Sequence, residues 1–157
     1  NAGGGGHTLV ACTKEQKMKT RPYGHKVLYR ECDMMGVVNN AIYVHWMEDA
    51  RVDALGQVGC NYADVEARGF AGPVLRQSVE YKSPARFGND VDITVSFDRY
   101  TGARLMLSYE MRDRADGRLL ATATSEHCFI DLKTGAPILI RSYFPEWNDA
   151  LIAACKN

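Results

Sequence analysis

In one stretch of this chain, apolar residues recur at helical spacing. Four of them follow one another at intervals of four residues and so share one face of a helix: Ile42, Trp46, Ala50 and Ala54. An asparagine pair precedes this stripe and two glycines follow it, and both residue types are common at helix ends. The pattern predicts one long helix that starts at residue 39 or 40 and runs to residue 55.

Further along the chain the apolar period changes to two, which is typical of strands with one buried face. Asp116-Gly117 separates two such runs and predicts a hairpin turn. In chain order, the other predicted elements are a strand at 25–30, a short helix at 61–69, strands at 74–81, 91–98, 105–111 and 119–131, and a short helix that begins at Pro145.

This order of elements predicts an α+β fold in which one antiparallel sheet packs against the long helix. Strands and helices do not alternate regularly, which argues against a doubly wound nucleotide-binding fold. Residues 1–22 are rich first in Gly and then in Lys and show no apolar period, so we expect a flexible N-terminal arm. Residues 23–157 have a length that suits a single domain with its own core.

Composition narrows the classes of function. The 19 basic and 19 acidic residues give zero net charge, which argues against a nucleic-acid partner because such binding needs a basic surface. No apolar run reaches the roughly 20 residues of a membrane span, and no histidine spacing suits a metal site. The five cysteines are widely spaced and odd in number, so we expect free thiols, a reducing compartment and a cytoplasmic location.

Asp33 is the first candidate for chemistry, because it lies in the short loop before the long helix. Amides at a helix N-terminus stabilise negative charge, and a carboxylate beside them can act as nucleophile or general base. Without further information, such an Asp is more often a cap or turn residue. Neither a G-x-S-x-G elbow nor a P-loop occurs. We interpret the scattered His45 and His127 as structural or solvated residues.

Two blocks of the sequence resemble a known family. The stretch DMMGVVNNAIY at 33–43, followed by WMEDAR at 46–51, is similar to the signature of hot-dog-fold thioesterases of the 4-hydroxybenzoyl-CoA thioesterase-like superfamily. The block VEYKSPAR at 79–86, with Asp90 after it, resembles a strand motif of the same family. The resemblance covers residues 25–143 and implies the hot-dog fold, an antiparallel sheet wrapped around a long central helix.

The resemblance implies an enzyme that hydrolyses an acyl-CoA or acyl-carrier-protein thioester to free acid and thiol. Asp33 would attack the thioester carbonyl or activate water, and the backbone amide of Asn40 would hold the thioester oxygen. Gly36 would let the loop turn tightly and bring the backbone close to the acyl group. Coenzyme A is part of the substrate, so no separate cofactor is implied. The family also implies a homodimer or homotetramer with sites formed between subunits.

Further residues are candidates for contacts with the substrate. Lys82, Arg86 and Arg104 are candidates for binding the phosphates of coenzyme A, and Ser78 for orienting water. For each of them, an ordinary surface role is the competing interpretation. Glu48 is interpreted as a structural or dimer-contact carboxylate, although another branch of the fold has a catalytic Glu on this helix. The predicted substrate contacts are Val38, Asn39, Tyr43, Ser78, Lys82 and Arg86.

Departures from the family pattern leave the substrate open. Ile42 stands where many bacterial acyl-CoA thioesterases of this type have Asn, and Val37 replaces a His of the plant-type acyl-carrier-protein enzymes. The Asn39-Asn40 pair instead resembles acyl-carrier-protein thioesterases and enzymes that act on dihydroxynaphthoyl-CoA. Two alternative functions remain: a hydratase or dehydratase of acyl thioesters, whose His-containing motif is not seen here, and a non-catalytic acyl-CoA-binding protein.

Overall fold

A computed structural model describes residues 20–156 of the chain. These residues form a five-stranded sheet, a two-stranded sheet and four α-helices. The strands are β1 (Tyr23–Lys26), β2 (Phe70–Ala71), β3 (Val74–Tyr81), β4 (Asp90–Tyr100), β5 (Arg104–Asp113), β6 (Leu119–Cys128) and β7 (Ile130–Asp131). The helices are α1 (Ile42–Gln57), α2 (Tyr62–Ala67), α3 (Ile140–Tyr143) and α4 (Pro145–Cys155).

The large sheet has the strand order β1-β4-β5-β6-β3, and every neighbouring pair is antiparallel. The strands β1 and β3 therefore lie at its edges. The short strands β2 and β7 pair separately, with Phe70 opposite Asp131. The prediction of an α+β fold with an antiparallel sheet is confirmed, and the two-stranded sheet is an addition that the sequence pattern did not predict.

Helix α1 packs on one face of the large sheet because its apolar residues must be covered from water. Along β4, every second residue from Val91 to Phe97 is buried, while the residues between them are only partly covered. The predicted alternation on the strand therefore matches the face that meets the helix. The buried residues of α1 are Tyr43, Trp46, Met47, Ala50, Ala54 and Leu55.

The first strand differs from its prediction. The sequence predicts a strand over 25–30, but β1 ends at Lys26 and the chain then turns through a short 3₁₀ helix at Tyr29–Glu31. The Glu31 carboxylate accepts a hydrogen bond from the Leu28 N–H at 2.7 Å, which closes the turn. Alternation of apolar residues does not indicate such a side-chain contact, so the predicted strand extends beyond the observed one.

The predicted last strand at 119–131 is divided in the structure. The strand β6 ends at Cys128, and residues 130–131 leave the large sheet to form β7. The buried Phe129 lies at this break, and its carbonyl accepts a hydrogen bond from the Ile138 N–H at 2.9 Å. A contact with a later segment therefore redirects the chain.

Most of the predicted N-terminal arm, residues 1–19, lies outside the described residues. Its last residues lie against the domain. Thr20 is buried and its hydroxyl donates to Val95 O at 2.8 Å, and the Arg21 N–H donates to Gln57 Oε1 at 2.7 Å. Thr20 and Arg21 thus both contact the folded domain.

A chain of buried hydrogen bonds crosses the inner face of the sheet. His127 is 3% exposed, its Nε2 lies 2.7 Å from the Ser125 hydroxyl, and that hydroxyl lies 2.8 Å from the Tyr109 hydroxyl. Burial and the Arg51 charge together lower the pKa of His127 to about 4, although a backbone hydrogen bond with Gly72 and the Glu126 charge oppose them. The imidazole is therefore neutral at pH 7 and its partners are satisfied, as a structural residue requires.

The low pKa of His127 predicts a loss of stability in acid. The pKa of an unfolded His is about 6.5, so between about pH 6.5 and about pH 4 the unfolded chain binds a proton that the folded chain does not. The free energy of unfolding should fall as the pH drops through this range, by up to about 3 kcal/mol. Urea unfolding at a series of pH values measures this fall.

The variant His127→Gln lacks this group, so its stability difference from the wild type should shrink as the pH falls. His45→Gln, at an exposed position of α1, is the matched control and should follow the wild type at every pH. A difference between His127→Gln and the wild type that stays constant with pH would contradict the assignment.

Candidate active site

The loop that holds Asp33 is closed by backbone hydrogen bonds. Cys32 and Val38 pair as an antiparallel bridge, and the Asp33 N–H donates to Val37 O at 2.9 Å. At the tip, the Gly36 N–H donates to Asp33 O at 3.0 Å, and Gly36 has a φ of 74°, which residues with a side chain rarely adopt. The loop therefore turns tightly at Gly36, as the sequence predicted.

The Asp33 side chain is half-buried and oriented. Its Oδ1 accepts a hydrogen bond from the Met35 N–H at 2.8 Å. Within the described part of the chain, its other oxygen has no hydrogen-bond donor. An oriented carboxylate with a free oxygen can attack a carbonyl carbon or take a proton from water.

Helix α1 begins at Ile42, two to three residues later than predicted. The side-chain oxygen of Asn39 accepts a hydrogen bond from the Ala41 N–H at 2.9 Å, and its main-chain oxygen accepts one from the Ile42 N–H at 3.0 Å. Asn39 thus forms the turn that leads into the helix and is not part of its first turn.

The Asn40 N–H is left available at this helix start. Among the described residues, the N–H groups of Asn39, Ala41 and Ile42 all have acceptors, whereas that of Asn40 has none. The Asn40 carbonyl accepts a hydrogen bond from the Tyr81 hydroxyl at 2.9 Å. Free amides at a helix start attract negative charge, so this N–H can stabilise an oxyanion.

Asp33 and Asn40 both line one cavity of about 470 Å³. The cavity is bounded by the Asp33 loop, the start of α1 and the segment that follows β3. Its wall contains both apolar and polar residues, with Pro84 and Met35 among those that were not predicted. The predicted residues that the structure brings together here are Asp33, Val38, Asn39, Asn40, Tyr43 and Lys82.

Gly36 and Arg86 lie beside this cavity and not in its wall. Gly36 lines a second cavity, of about 590 Å³, which shares Asp33 with the first. Arg86 is exposed, and its main chain pairs with Val37 across the loop. Its Nη1 lies 4.0 Å from the point that a Cβ on Gly36 would occupy, so the guanidinium lies next to the tip of the Asp33 loop.

Ser78 and Arg104 lie on the outer face of the sheet, away from α1. The Ser78 hydroxyl lies 2.8 Å from the Thr124 hydroxyl on β6. The Arg104 guanidinium donates to the Glu126 carboxylate at 2.7 Å. The structure therefore does not bring either side chain to the cavity of Asp33.

Tyr81 is a residue of the cavity that sequence reasoning missed. It ends β3, and its ring meets the ring of Tyr43 edge-on with centroids 5.0 Å apart. Tyr43 is 3% exposed, and burial raises the pKa of its hydroxyl. Tyr81 is the tyrosine of the VEYKSPAR block, and it lies on the same strand face as Val79, so alternation along the strand was a signal that could have found it.

Lys82 is placed at the cavity but already has a partner. Its Nζ lies 2.8 Å from the Glu80 carboxylate, and both side chains are largely exposed. Such an exposed ion pair is worth little, so Lys82 can exchange Glu80 for an incoming anion at small cost.

Residues 20–156 give little support for a metal site or a membrane-spanning helix. No three His, Cys, Asp or Glu side chains of this segment are grouped so that they could hold a metal ion. None of its helices is long and apolar enough to cross a membrane. The described Cys32, Cys60 and Cys128 are free thiols, while Cys12 lies outside the described residues.

The chain matches known proteins over most of its length. The family model described as the thioesterase-like superfamily matches residues 27–152. A Bacillus subtilis (strain 168) protein named "Putative acyl-CoA thioesterase YneP" is 34% identical over 131 residues, which are 83% of this chain and 94% of the relative. The long-chain acyl-CoA thioesterase FadM of Escherichia coli (strain K12) is 29% identical over 127 residues, 81% of this chain and 96% of the relative.

A solved structure agrees with these matches. The DHNA-CoA thioesterase from Staphylococcus aureus has a TM-score of 0.80 and 32% identity to this chain, covering 83% of this chain and 87% of its own. The sheet that packs around the long helix α1 is the arrangement that the resemblance to hot-dog thioesterases implied. The chain therefore belongs to the thioesterase-like superfamily, has the hot-dog fold and is a thioester hydrolase.

Proposed function

We propose that this protein hydrolyses acyl-CoA thioesters and that Asp33 is its catalytic carboxylate. The observation that carries the proposal is the shared cavity of about 470 Å³, which is lined both by the oriented carboxylate of Asp33 and by Asn40, whose N–H is available. The names of the relatives YneP and FadM give acyl-CoA as their substrate, which supports coenzyme A as the carrier.

The proposed reaction is divided between two groups. Asp33 either attacks the thioester carbonyl carbon with its free oxygen or takes a proton from a water that attacks the same carbon. In both cases the C–S bond breaks and the thiolate of coenzyme A leaves. If Asp33 attacks directly, water then hydrolyses the acyl anhydride on its side chain. The Asn40 N–H donates to the carbonyl oxygen as charge develops, an effect typically worth about 3 kcal/mol.

The cavity wall and its rim suit the two ends of such a substrate. Val38, Tyr43 and Pro84 offer apolar surface to an acyl group. Lys82 in the wall and the exposed Arg86 beside the Asp33 loop are positioned to attract the phosphates of coenzyme A. Among residues 20–156, those that line the cavity include no histidine, which makes the alternative of a hydratase with a His base less suitable.

We further propose that two copies of the chain join edge to edge along β3. This strand lies at the edge of the sheet, and most of its residues are exposed, including the apolar Leu75 at 46%. A long exposed edge of this kind needs cover to avoid uncontrolled pairing. Because Tyr81 on β3 also lines the cavity, the proposed dimer would bring the second copy close to the site. The free thiols fit a reducing compartment such as the cytoplasm.

Replacing the catalytic carboxylate tests the proposed mechanism. In Asp33→Asn the side chain keeps its size but loses the nucleophilic or basic oxygen, so thiol release from an acyl-CoA should fall by about 10²- to 10⁴-fold in kcat. Binding of the acyl-CoA, measured by calorimetry, should change little.

Glu48→Gln is the matched control, because Glu48 is an exposed carboxylate on α1. It should keep the wild-type kcat. Wild-type turnover by Asp33→Asn would refute the mechanism, and loss of turnover only in Glu48→Gln would assign catalysis to Glu48. Tight acyl-CoA binding with no turnover by the wild type would instead indicate a non-catalytic binding protein.

Sedimentation velocity tests the proposed dimer. The apparent mass of the wild type should be twice the chain mass of 17.5 kDa. The variant Leu75→Glu places a charge on β3 in both copies and should shift the protein toward monomer, while Leu132→Glu, at an exposed turn position, should not. A wild type that is monomeric at its assay concentration would contradict the proposal.

A further inference from the structure

Glu31 is a buried carboxylate that the proposed hydrolysis does not use. It lies two residues before Asp33 and is 8% exposed. Its carboxylate accepts hydrogen bonds from the Leu28 N–H at 2.7 Å, from the Trp46 Nε1–H at 2.8 Å and from His25 Nε2 at 2.8 Å. The donors belong to three different segments of the chain, so one side chain ties these segments together.

This carboxylate is ionised at neutral pH. Burial alone would raise the pKa of Glu31, but the hydrogen bonds from His25, Leu28 and Trp46 outweigh burial and lower it. A buried charge is tolerated only when it is fully hydrogen-bonded, and such charge-assisted bonds are short and strong. The geometry around Glu31 is therefore rigid and depends on acceptor oxygens at both positions.

Glu31 forms hydrogen bonds both to helix α1 and to the residue that follows the Asp33 loop. Its side chain holds α1 through Trp46, and its main-chain oxygen accepts a hydrogen bond from the Asn39 N–H at 2.9 Å. The loop with Asp33 lies in the sequence between Glu31 and Asn39, which this main-chain hydrogen bond joins. Trp46 in turn packs against the ring of Tyr43 in a tilted arrangement, with centroids 4.8 Å apart, and Tyr43 lines the cavity.

We infer that Glu31, together with His25 and Trp46, is a positioning residue that sets the Asp33 carboxylate relative to the Asn40 N–H. Glu31 touches neither the cavity nor the proposed substrate, so it acts through the loop and the helix that it joins. This inference rests on the proposed function, because Asp33 and Asn40 are the two catalytic groups of that proposal.

The isosteric variant Glu31→Gln tests the inference. Its amide group turns one acceptor into a donor that faces other N–H groups, so the loop should shift relative to α1. Because a displacement of about 1 Å can cost up to about 100-fold in rate, kcat should fall by about 10- to 100-fold. KM should stay within about threefold, since no residue of the cavity wall is replaced. Steady-state thiol release, with circular dichroism to verify folding, measures both.

Glu126→Gln is the matched control. Glu126 is a buried carboxylate of similar exposure, at 7%, and its partners Arg76 and Arg104 lie on the outer face of the sheet. This variant should lower the melting temperature but keep the wild-type kcat. A structural role of Glu31 alone would give the same pattern for Glu31→Gln, namely lower stability with unchanged kcat, and that result would overturn the inference.

A milder variant keeps the test valid if Glu31→Gln does not fold. Trp46→Phe keeps an aromatic ring and removes the indole N–H, so kcat should fall by about 3- to 10-fold with KM unchanged. A folded Trp46→Phe with wild-type kcat would overturn the inference. Loss of turnover in Asp33→Asn separates the two claims, because that result depends on the proposed function and not on Glu31.

Discussion

Burial of the apolar face of α1 against the sheet is the interaction on which the site depends. Each large side chain on this face, such as Trp46 or Met47, contributes about 1.5–3 kcal/mol when it is fully buried. Rotation of the helix about its axis would expose several of them at once. The packing therefore fixes which way the first turn of α1 faces, and it leaves the Asn40 N–H at the cavity that Asp33 lines.

The N–H groups at the start of the helix need acceptors, whereas the proposed hydrolysis needs one N–H that stays available. Asn39 serves both needs, because its side chain accepts from the Ala41 N–H and its carbonyl accepts from the Ile42 N–H. The residue between Asn39 and Ala41 is left with an available N–H. Tyr81 holds the carbonyl of this same residue, Asn40, from the side of β3. The asparagine pair thus provides the available N–H that the proposed hydrolysis uses.

The sequence predicted the parts of the molecule that periodicity controls. The alternation of β4 and the stripe of α1 both face the core that they were expected to face. Ser78 shows the limit of a motif-based argument, because period two places it on the opposite strand face from Val79 and Tyr81, and there it meets Thr124. That alternation was available in the sequence and favoured Tyr81 as the site residue of this strand.

Individual side-chain hydrogen bonds were not predictable in the same way. The helix started later than expected because Asn39 forms a turn with its side chain. The first strand ended early because Glu31 bonds to the Leu28 N–H, and the same carboxylate reaches Trp46, 15 positions further on. No residue spacing in the sequence predicts these bonds, and the one from Trp46 joins the segment before the Asp33 loop to the helix.

A crystal structure with an unreactive substrate analogue tests the central claim most directly. The analogue is an acyl-CoA in which a methylene group replaces the thioester sulfur and the carbonyl is kept. We expect the carbonyl oxygen to lie roughly 2.7–3.1 Å from the Asn40 nitrogen, with the free oxygen of Asp33 facing the carbonyl carbon. A carbonyl bound outside the cavity that these two residues share would contradict the proposed roles of Asp33 and Asn40.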